Sequence, residues 1–175
     1  VYGFGWKPPT IEEPSAEQLT CLKTLLDSDL VPYVDFAIFL PFSVRHATEM
    51  KLSAQRFEFG SNVLLPVKVA APPSLEVWMA GWKVFANSMI MLGAITLGTL
   101  DAYQRRMVSM LGTFGPSIWE LLYEADRRSR AEHWQRVKLQ LVEQHLLDTQ
   151  CGRVSAYNED SKWDLSLTAL LNDRV

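Results

Sequence analysis

The feature that most restricts the fold of this chain is its apolar stretch from Pro72 to Leu100. A membrane span, a core helix or a docking surface could each account for it. Pro73 stops the preceding structure, Ser74 can cap a helix, and Glu76 lies in its first turn. The apolar residues that follow recur at helical period and predict one broad apolar face, made of Leu75, Trp78, Met79, Trp82, Phe85, Ala86, Met89 and Leu92.

The polar residues inside this stretch argue against a membrane span. A span needs about 20 predominantly apolar residues, and a central lysine costs roughly 2.5–3.5 kcal/mol on insertion. Lys83 and Asn87 interrupt the stretch, and Gly93 falls where the helix should end. The two cysteines, Cys21 and Cys151, lie far apart and suit a reducing compartment. We therefore predict a core helix with no membrane contact, in a cytoplasmic or otherwise intracellular protein.

The remaining sequence predicts a mainly α fold, with about five helices around one core and a single β-hairpin as a minor α+β component. The first helix should begin near Ser15, which forms a plausible capping box with Gln18. The hairpin is expected because alternating residues flank a Gly-Ser-Asn turn. We expect an extended N-terminal arm at residues 1–14, a helical domain at 15–150 with the hairpin near 50–69, and a polar linker with a short terminal helix at 151–175.

The segment from Ser117 to Leu147 contains no glycine or proline and predicts one helix of about eight turns. Its middle, "EADRRSRAEHWQR", is highly charged, so we expect the helix to leave its own core there. The later part is apolar again without an evident intrachain partner, which predicts contact with another subunit. The expected interface residues are Trp134, Val137, Leu141 and Leu146.

A basic row on the same segment offers a second hypothesis. Arginine and lysine side chains along one helix could neutralise several phosphates of RNA or DNA. Glu124, Asp126 and Glu132 are interleaved at helical spacing, however, and favour intrahelical ion pairs on a solvated face. The net charge of −3 gives no general attraction for nucleic acid. The candidate nucleic-acid-binding residues are Arg105, Arg106, Arg127, Arg128, Arg130, Arg136 and Lys138.

No motif in the sequence predicts catalysis. The chain lacks a phosphate-binding loop, a dinucleotide fingerprint, an H-E-x-x-H pair and a C-x-x-C pair. His145, Asp148 and Cys151 are close in sequence, but they lie near a helix end without a scaffold for thiol catalysis. We predict a non-enzymatic protein with no catalytic residue, metal site, cofactor or identified small-molecule ligand.

The blocks "PPSLEVWMAGWKVFANSMIMLGAITLGTLDAY" and "FGPSIWELLYEADRRSRAEHWQRV" carry a resemblance to a family. They resemble the gag-like structural region of retroelement-associated, mostly uncharacterised reading frames from repeat-rich algal genomes. Such regions are often followed by a Cys/His-rich knuckle, and this sequence contains none. The match covers roughly residues 30 to 150, at Trp78, Val84, Phe85, Ile90 to Gly93, Leu100, Asp101, Tyr103, Gly115, Pro116, Trp119, Tyr123, Ala125, Asp126, Arg128, Arg130 and Glu132.

Three hypotheses for function follow. The resemblance implies a non-enzymatic, self-associating structural protein, similar to the capsid-forming part of a retroelement polyprotein. The start at Val1 without methionine agrees with a piece of something larger. The alternatives are an RNA- or DNA-binding adaptor that uses the arginine-rich helix, and a small enzyme without a recognisable motif. The expected partner under the first hypothesis is a second copy of the chain.

Overall fold

The structure, a computed structural model, describes residues 7–36, 39–41 and 72–172. Within these ranges the protein is mainly α-helical, which confirms the predicted class, while the predicted hairpin near residues 50–69 lies outside the described residues. The helices are α1 (Ala16–Asp27), α2 (Leu75–Met91), α3 (Leu97–Phe114), α4 (Trp119–Arg128), α5 (Trp134–Gln150) and α6 (Lys162–Asn172).

Local sequence signals fix several helix ends. The Ser15 hydroxyl accepts from the Gln18 amide, and the Gln18 side chain accepts from the Ser15 amide, which confirms the capping box at α1. Ser74 accepts from the Val77 amide and begins α2. Gly93 follows α2 with a φ of 67°, a left-handed conformation that favours glycine at a helix end.

Helix α2 forms the centre of the core. The rings of Trp78 and Trp82 are stacked with centroids 5.4 Å apart, and Phe36 packs edge-on against both. Tyr103 of α3 stacks on the other side of Trp82 at 4.9 Å. A Cβ at Gly81 would lie 2.9 Å from the Phe36 Cβ, so this close approach requires glycine. The apolar stretch therefore lies in the protein core.

The polar residues of α2 bind the N-terminal segment. Lys83 forms an ion pair of 2.8 Å with the Glu12 carboxylate, and the Asn87 side-chain amide donates to the Glu12 carbonyl at 3.0 Å. Glu12 ends a 3-10 turn at Thr10–Glu12.

Among the described residues, no helix has the length and apolar content needed to cross a bilayer.

Helices α4 and α5 are one continuous helix joined by a π-helical turn, Ser129–His133. The Trp134 amide donates to the Ser129 carbonyl, five residues back. The prediction of a single long helix is confirmed, but the prediction that its charged middle leaves the core is wrong, because that middle contributes buried side chains. Buried residues recur here every four positions, at Leu122, Asp126, Arg130, Trp134 and Lys138.

This four-residue spacing explains the π turn. A regular α-helix has 3.6 residues per turn, so residues four apart rotate by about 40° relative to one another. Over the whole buried row the side chains would turn away from the core. The wider π turn takes up one more residue and brings the two halves of the row back to the same side.

Helix α6 completes the core from the other end of the chain. Trp163, Leu167 and Leu170 belong to the same buried cluster as the residues of α2 and α3. Asp164 of α6 accepts from the amide and hydroxyl of Thr96, the N-cap residue of α3. The last helix therefore belongs to the same folded body as the preceding helices.

Candidate functional site

A buried charged cluster lies where α2, α3 and the long helix meet. Its centre is the Asp126 carboxylate, 2% exposed. The Trp78 indole donates to it at 3.0 Å and the Tyr103 hydroxyl at 2.8 Å. Arg130 adds Nε and Nη2 donors, the latter at 2.7 Å, in an ion pair between residues four apart. Each side chain thus satisfies polar atoms that would otherwise be buried without partners.

Arg130 links this cluster to the segment that follows α1. Its Nη1 donates to the Val34 carbonyl at 2.8 Å, and its guanidinium carbon lies 3.9 Å from the centroid of the Phe36 ring. Burial opposes the charged guanidinium, but the charge and hydrogen bonds of Asp126 outweigh burial and raise the pKa of Arg130. Burial, aided by the Asp126 charge, also raises the pKa of Tyr103. These shifts keep the protons on Arg130 and Tyr103.

The cluster lacks the geometry of an acid/base pair. Asp126 accepts from three surrounding side chains and is enclosed among apolar rings, so its oxygens are already occupied. A general base needs a free lone pair within reach of a substrate proton. The arrangement therefore fixes the packing of α2, α3 and the long helix around one point.

A cavity of about 300 Å³ lies beside this cluster, between α3, the π turn and α6. Its lining is mostly apolar and also carries two arginines, a serine, a histidine and the buried side chains of Tyr103 and Asp126. Arg128 is exposed, and no hydrogen bond or ion pair engages its side chain within the described part of the chain. The lining consists of Tyr103, Arg106, Met107, Met110, Leu122, Ala125, Asp126, Arg128, Ser129, His133, Leu170 and Leu171.

The structure distributes the seven candidate basic residues over three environments. Arg130 and Lys138 are buried and engaged by carboxylates, Arg130 by the buried Asp126 and Lys138 by the exposed Asp29, so neither is free to bind a phosphate. Arg127 pairs with Glu124 at 2.6 Å, and Arg106 donates to the Leu171 carbonyl at 2.8 Å. The exposed members without a carboxylate partner among the described residues are Arg105, Arg128 and Arg136. The predicted basic row is therefore divided between core and surface.

The four candidate interface residues are also divided between the core and the surface. Trp134 is 1% exposed, donates from its indole to the Ser166 hydroxyl at 2.8 Å and contacts the Trp163 ring of α6. Val137 packs against the same core, and Leu141 is half-buried. Leu146 is 55% exposed. The intrachain partner that the sequence did not reveal is α6, and it covers the first half of the predicted interface.

An ion-pair bridge joins the turn after α1 to α5 and α6. Asp29 pairs with Lys138 and, at 2.7 Å, with Lys162. Asp29 has a φ of 58°, the left-handed conformation that aspartate tolerates better than most residues. Burial by itself raises the pKa of Asp29, but the hydrogen bonds and charges of the two lysines outweigh it and lower the pKa. The bridge therefore favours the ionised carboxylate.

Asp29→Asn should lower the free energy of unfolding by about 1 kcal/mol at neutral pH, because buried Lys138 loses its counterion while asparagine keeps the backbone conformation. The sign with pH follows from the lowered pKa. The unfolded chain protonates Asp29 near 3.8, before the folded chain does, so its stabilisation is complete above that pH and is lost below it. Urea titrations between pH 7 and pH 2.5 should show the two proteins converging in acid. A constant difference would contradict the bridge.

Hydrogen bonds join the end of α5 to the segment that follows it. His145 Nδ1 lies 2.8 Å from the Ser155 hydroxyl, which also accepts from the Tyr157 amide. Burial and Glu159 raise the pKa of Tyr157 to about 12.

Asp148 contacts Gln144 and Arg153, so His145 and Asp148 do not converge on Cys151. Among the described residues no group of His, Cys, Asp or Glu side chains could hold a metal ion.

No protein-family model matches the chain, and neither a curated protein nor a solved structure shows significant similarity to it. The site must therefore be interpreted from its own geometry. The feature that sequence reasoning missed is the cavity, whose walls come from three helices distant in sequence. No sequence signal locates its rim, because the burial of Asp126 and Arg130 beside the wide turn at Ser129–His133 depends on tertiary contacts.

Proposed function

We propose that this protein is a non-enzymatic structural protein that associates with copies of itself through the exposed side of α5. Leu139 and Leu146 are each 55% exposed on this helix, and Val142 is half-buried between them. The spacing of three and four residues is that of paired helices. This exposed apolar row, which lies next to the side covered by α6, carries the proposal.

The charges beside this row are self-complementary. Arg136 and Glu143 are seven residues apart and therefore lie on the same flank of the helix. Both are exposed, and neither forms an ion pair within the described ranges. In an antiparallel pair of α5 helices the same flanks of the two copies meet. Arg136 of one copy then lies beside Glu143 of the other, and Leu139 of one faces Val142 of the other.

The same type of association is implied by the resemblance to gag-like regions. A structural role also agrees with the chemistry of the buried cluster, whose carboxylate is fully engaged in holding helices together. We accordingly assign the exposed face of α5 to contacts between copies, and the covered face to contacts within one copy.

Light scattering coupled to size exclusion should show a mass that increases with protein concentration. Leu139→Glu combined with Leu146→Glu should give a monomer, because each copy would bring two charges into the apolar seam. Val108→Glu is the matched control, since Val108 is 48% exposed on α3, away from this face. A wild-type chain that stays monomeric at high concentration would refute the proposal.

Charge exchange tests the antiparallel orientation. Arg136→Glu and Glu143→Arg should each weaken association several-fold, because each places like charges side by side at two symmetric positions. The double exchange should restore association, since it regenerates both opposite-charge pairs. Failure of the double variant to recover would exclude this orientation.

A further inference from the structure

The geometry points to a binding site for a small amphiphilic carboxylate in the cavity between α3, the π turn and α6. This site is independent of self-association, since none of the residues of the exposed α5 face lines the cavity. The occupant is a molecule with one carboxylate and an apolar tail of about seven carbons.

The charge of the cavity wall selects an anion. Arg106 and Arg128 are its two cationic residues, and its single carboxylate, Asp126, is neutralised by Arg130. Arg106 uses Nη1 to bind the Leu171 carbonyl, and its other donors are without partners among the described residues. Arg128 and His133 form no hydrogen bond or ion pair there. Guanidinium groups bind carboxylates through charge-assisted hydrogen bonds.

The depth of the cavity selects an apolar tail. The buried lining residues are Met107, Leu122 and Leu170, together with Tyr103 and the ion-paired Asp126, while Arg128 and Ala125 are exposed. Methionine side chains adapt to flexible apolar ligands. A charged head among the arginines would therefore direct the tail towards the core side of the cavity.

The volume sets the length of the ligand. About 300 Å³ accommodates about ten non-hydrogen atoms when each takes the volume of a water molecule, about 30 Å³. A carboxylate with eight carbons in total has that size. The cavity stands at the lower end of the usual range for small-molecule sites.

The π turn gives a physical reason for the cavity at this position. Ser129 and His133, its first and last residues, both line the cavity wall. A π turn is wider than a regular helical turn, and such turns occur often at functional sites. The same turn that aligns the buried row thus separates the helix surface from α3 and α6 at this point.

Isothermal titration of the full chain with sodium octanoate tests the site. We expect saturable binding at one site with a dissociation constant in the millimolar range or below. Butyrate should bind more than tenfold more weakly, because it lacks four methylene groups. Octylammonium has the same tail with the opposite charge and should not bind. Absence of saturable octanoate binding would overturn the inference.

Two variants locate the binding within the cavity. Arg128→Gln should weaken octanoate binding about tenfold, and Ala125→Phe should abolish it by filling the outer part of the cavity. Both positions are exposed, so the fold should tolerate them, and far-ultraviolet circular dichroism checks this. Arg105→Gln removes an exposed arginine outside the cavity and should change the affinity less than twofold. If both Arg128→Gln and Ala125→Phe bind octanoate with the affinity of the unsubstituted protein, octanoate binds elsewhere and the assignment is overturned.

Discussion

Replacing Arg130 with methionine is expected to lower the free energy of unfolding by about 3–5 kcal/mol. The substitution keeps a long apolar side chain against Phe36 but removes the cation that balances Asp126. Asp126 is 2% exposed, so the carboxylate would remain charged in an apolar interior or would have to take up a proton. The Val34 carbonyl would also lose its donor. Guanidinium chloride unfolding, followed by tryptophan fluorescence, measures the loss.

The double variant Asp126→Asn with Arg130→Met separates the pair from its packing. It should be more stable than Arg130→Met alone, because an amide carries no charge, its oxygen can accept from the Trp78 indole, and its NH2 group can donate to the Tyr103 hydroxyl oxygen. The control is Glu124→Gln with Arg127→Gln, an exposed pair on the same helix, which should change stability by less than about 0.5 kcal/mol. If Arg130→Met costs no more than this control, the buried cluster does not hold the fold together.

Replacing Trp134 with alanine is expected to cost about 3–5 kcal/mol, because it leaves a cavity between α5 and α6 and removes the hydrogen bond to Ser166. The Trp134 and Trp163 rings are edge-to-face with centroids 5.9 Å apart, so this ring is one of the contacts that hold α6. Amide hydrogen exchange should therefore show a greater loss of protection in α6 than in α2. Chemical unfolding gives the total change.

The Trp134 prediction also distinguishes the two sides of α5. Leu139→Ala, on the exposed side, should change the stability of the monomer by less than about 0.5 kcal/mol while weakening association. Trp134→Ala should have the opposite effect. It lowers the stability of the monomer, while the protein that remains folded keeps the exposed face and still associates. A Trp134→Ala protein with unchanged unfolding but lost association would contradict the assignment of Trp134 to the core.

The buried cluster brings together residues that are far apart in the sequence. The side chains of Trp78, Tyr103 and Arg130 meet around the carboxylate of Asp126. They lie up to 52 residues apart, as the numbers 78 and 130 show.

The sequence by itself determined which segments are helical and where many of them begin and end. Capping at Ser15 and Ser74 depends on hydrogen bonds within three residues, and the left-handed turn at Gly93 depends on one residue type. The apolar period of α2 likewise indicated its buried face. These properties are local, so the chain expresses them before tertiary contacts form.

Only the tertiary structure decided the environment of the charged and apolar residues on the long helix. An arginine in a charged run is expected in solvent, yet Arg130 is buried because Asp126, Val34 and Phe36 all lie within reach of it. The sequence suggested that Trp134 could contact a partner, but α6 covers it. These outcomes depend on contacts between segments distant in sequence, and helical period cannot show which segment will cover which face.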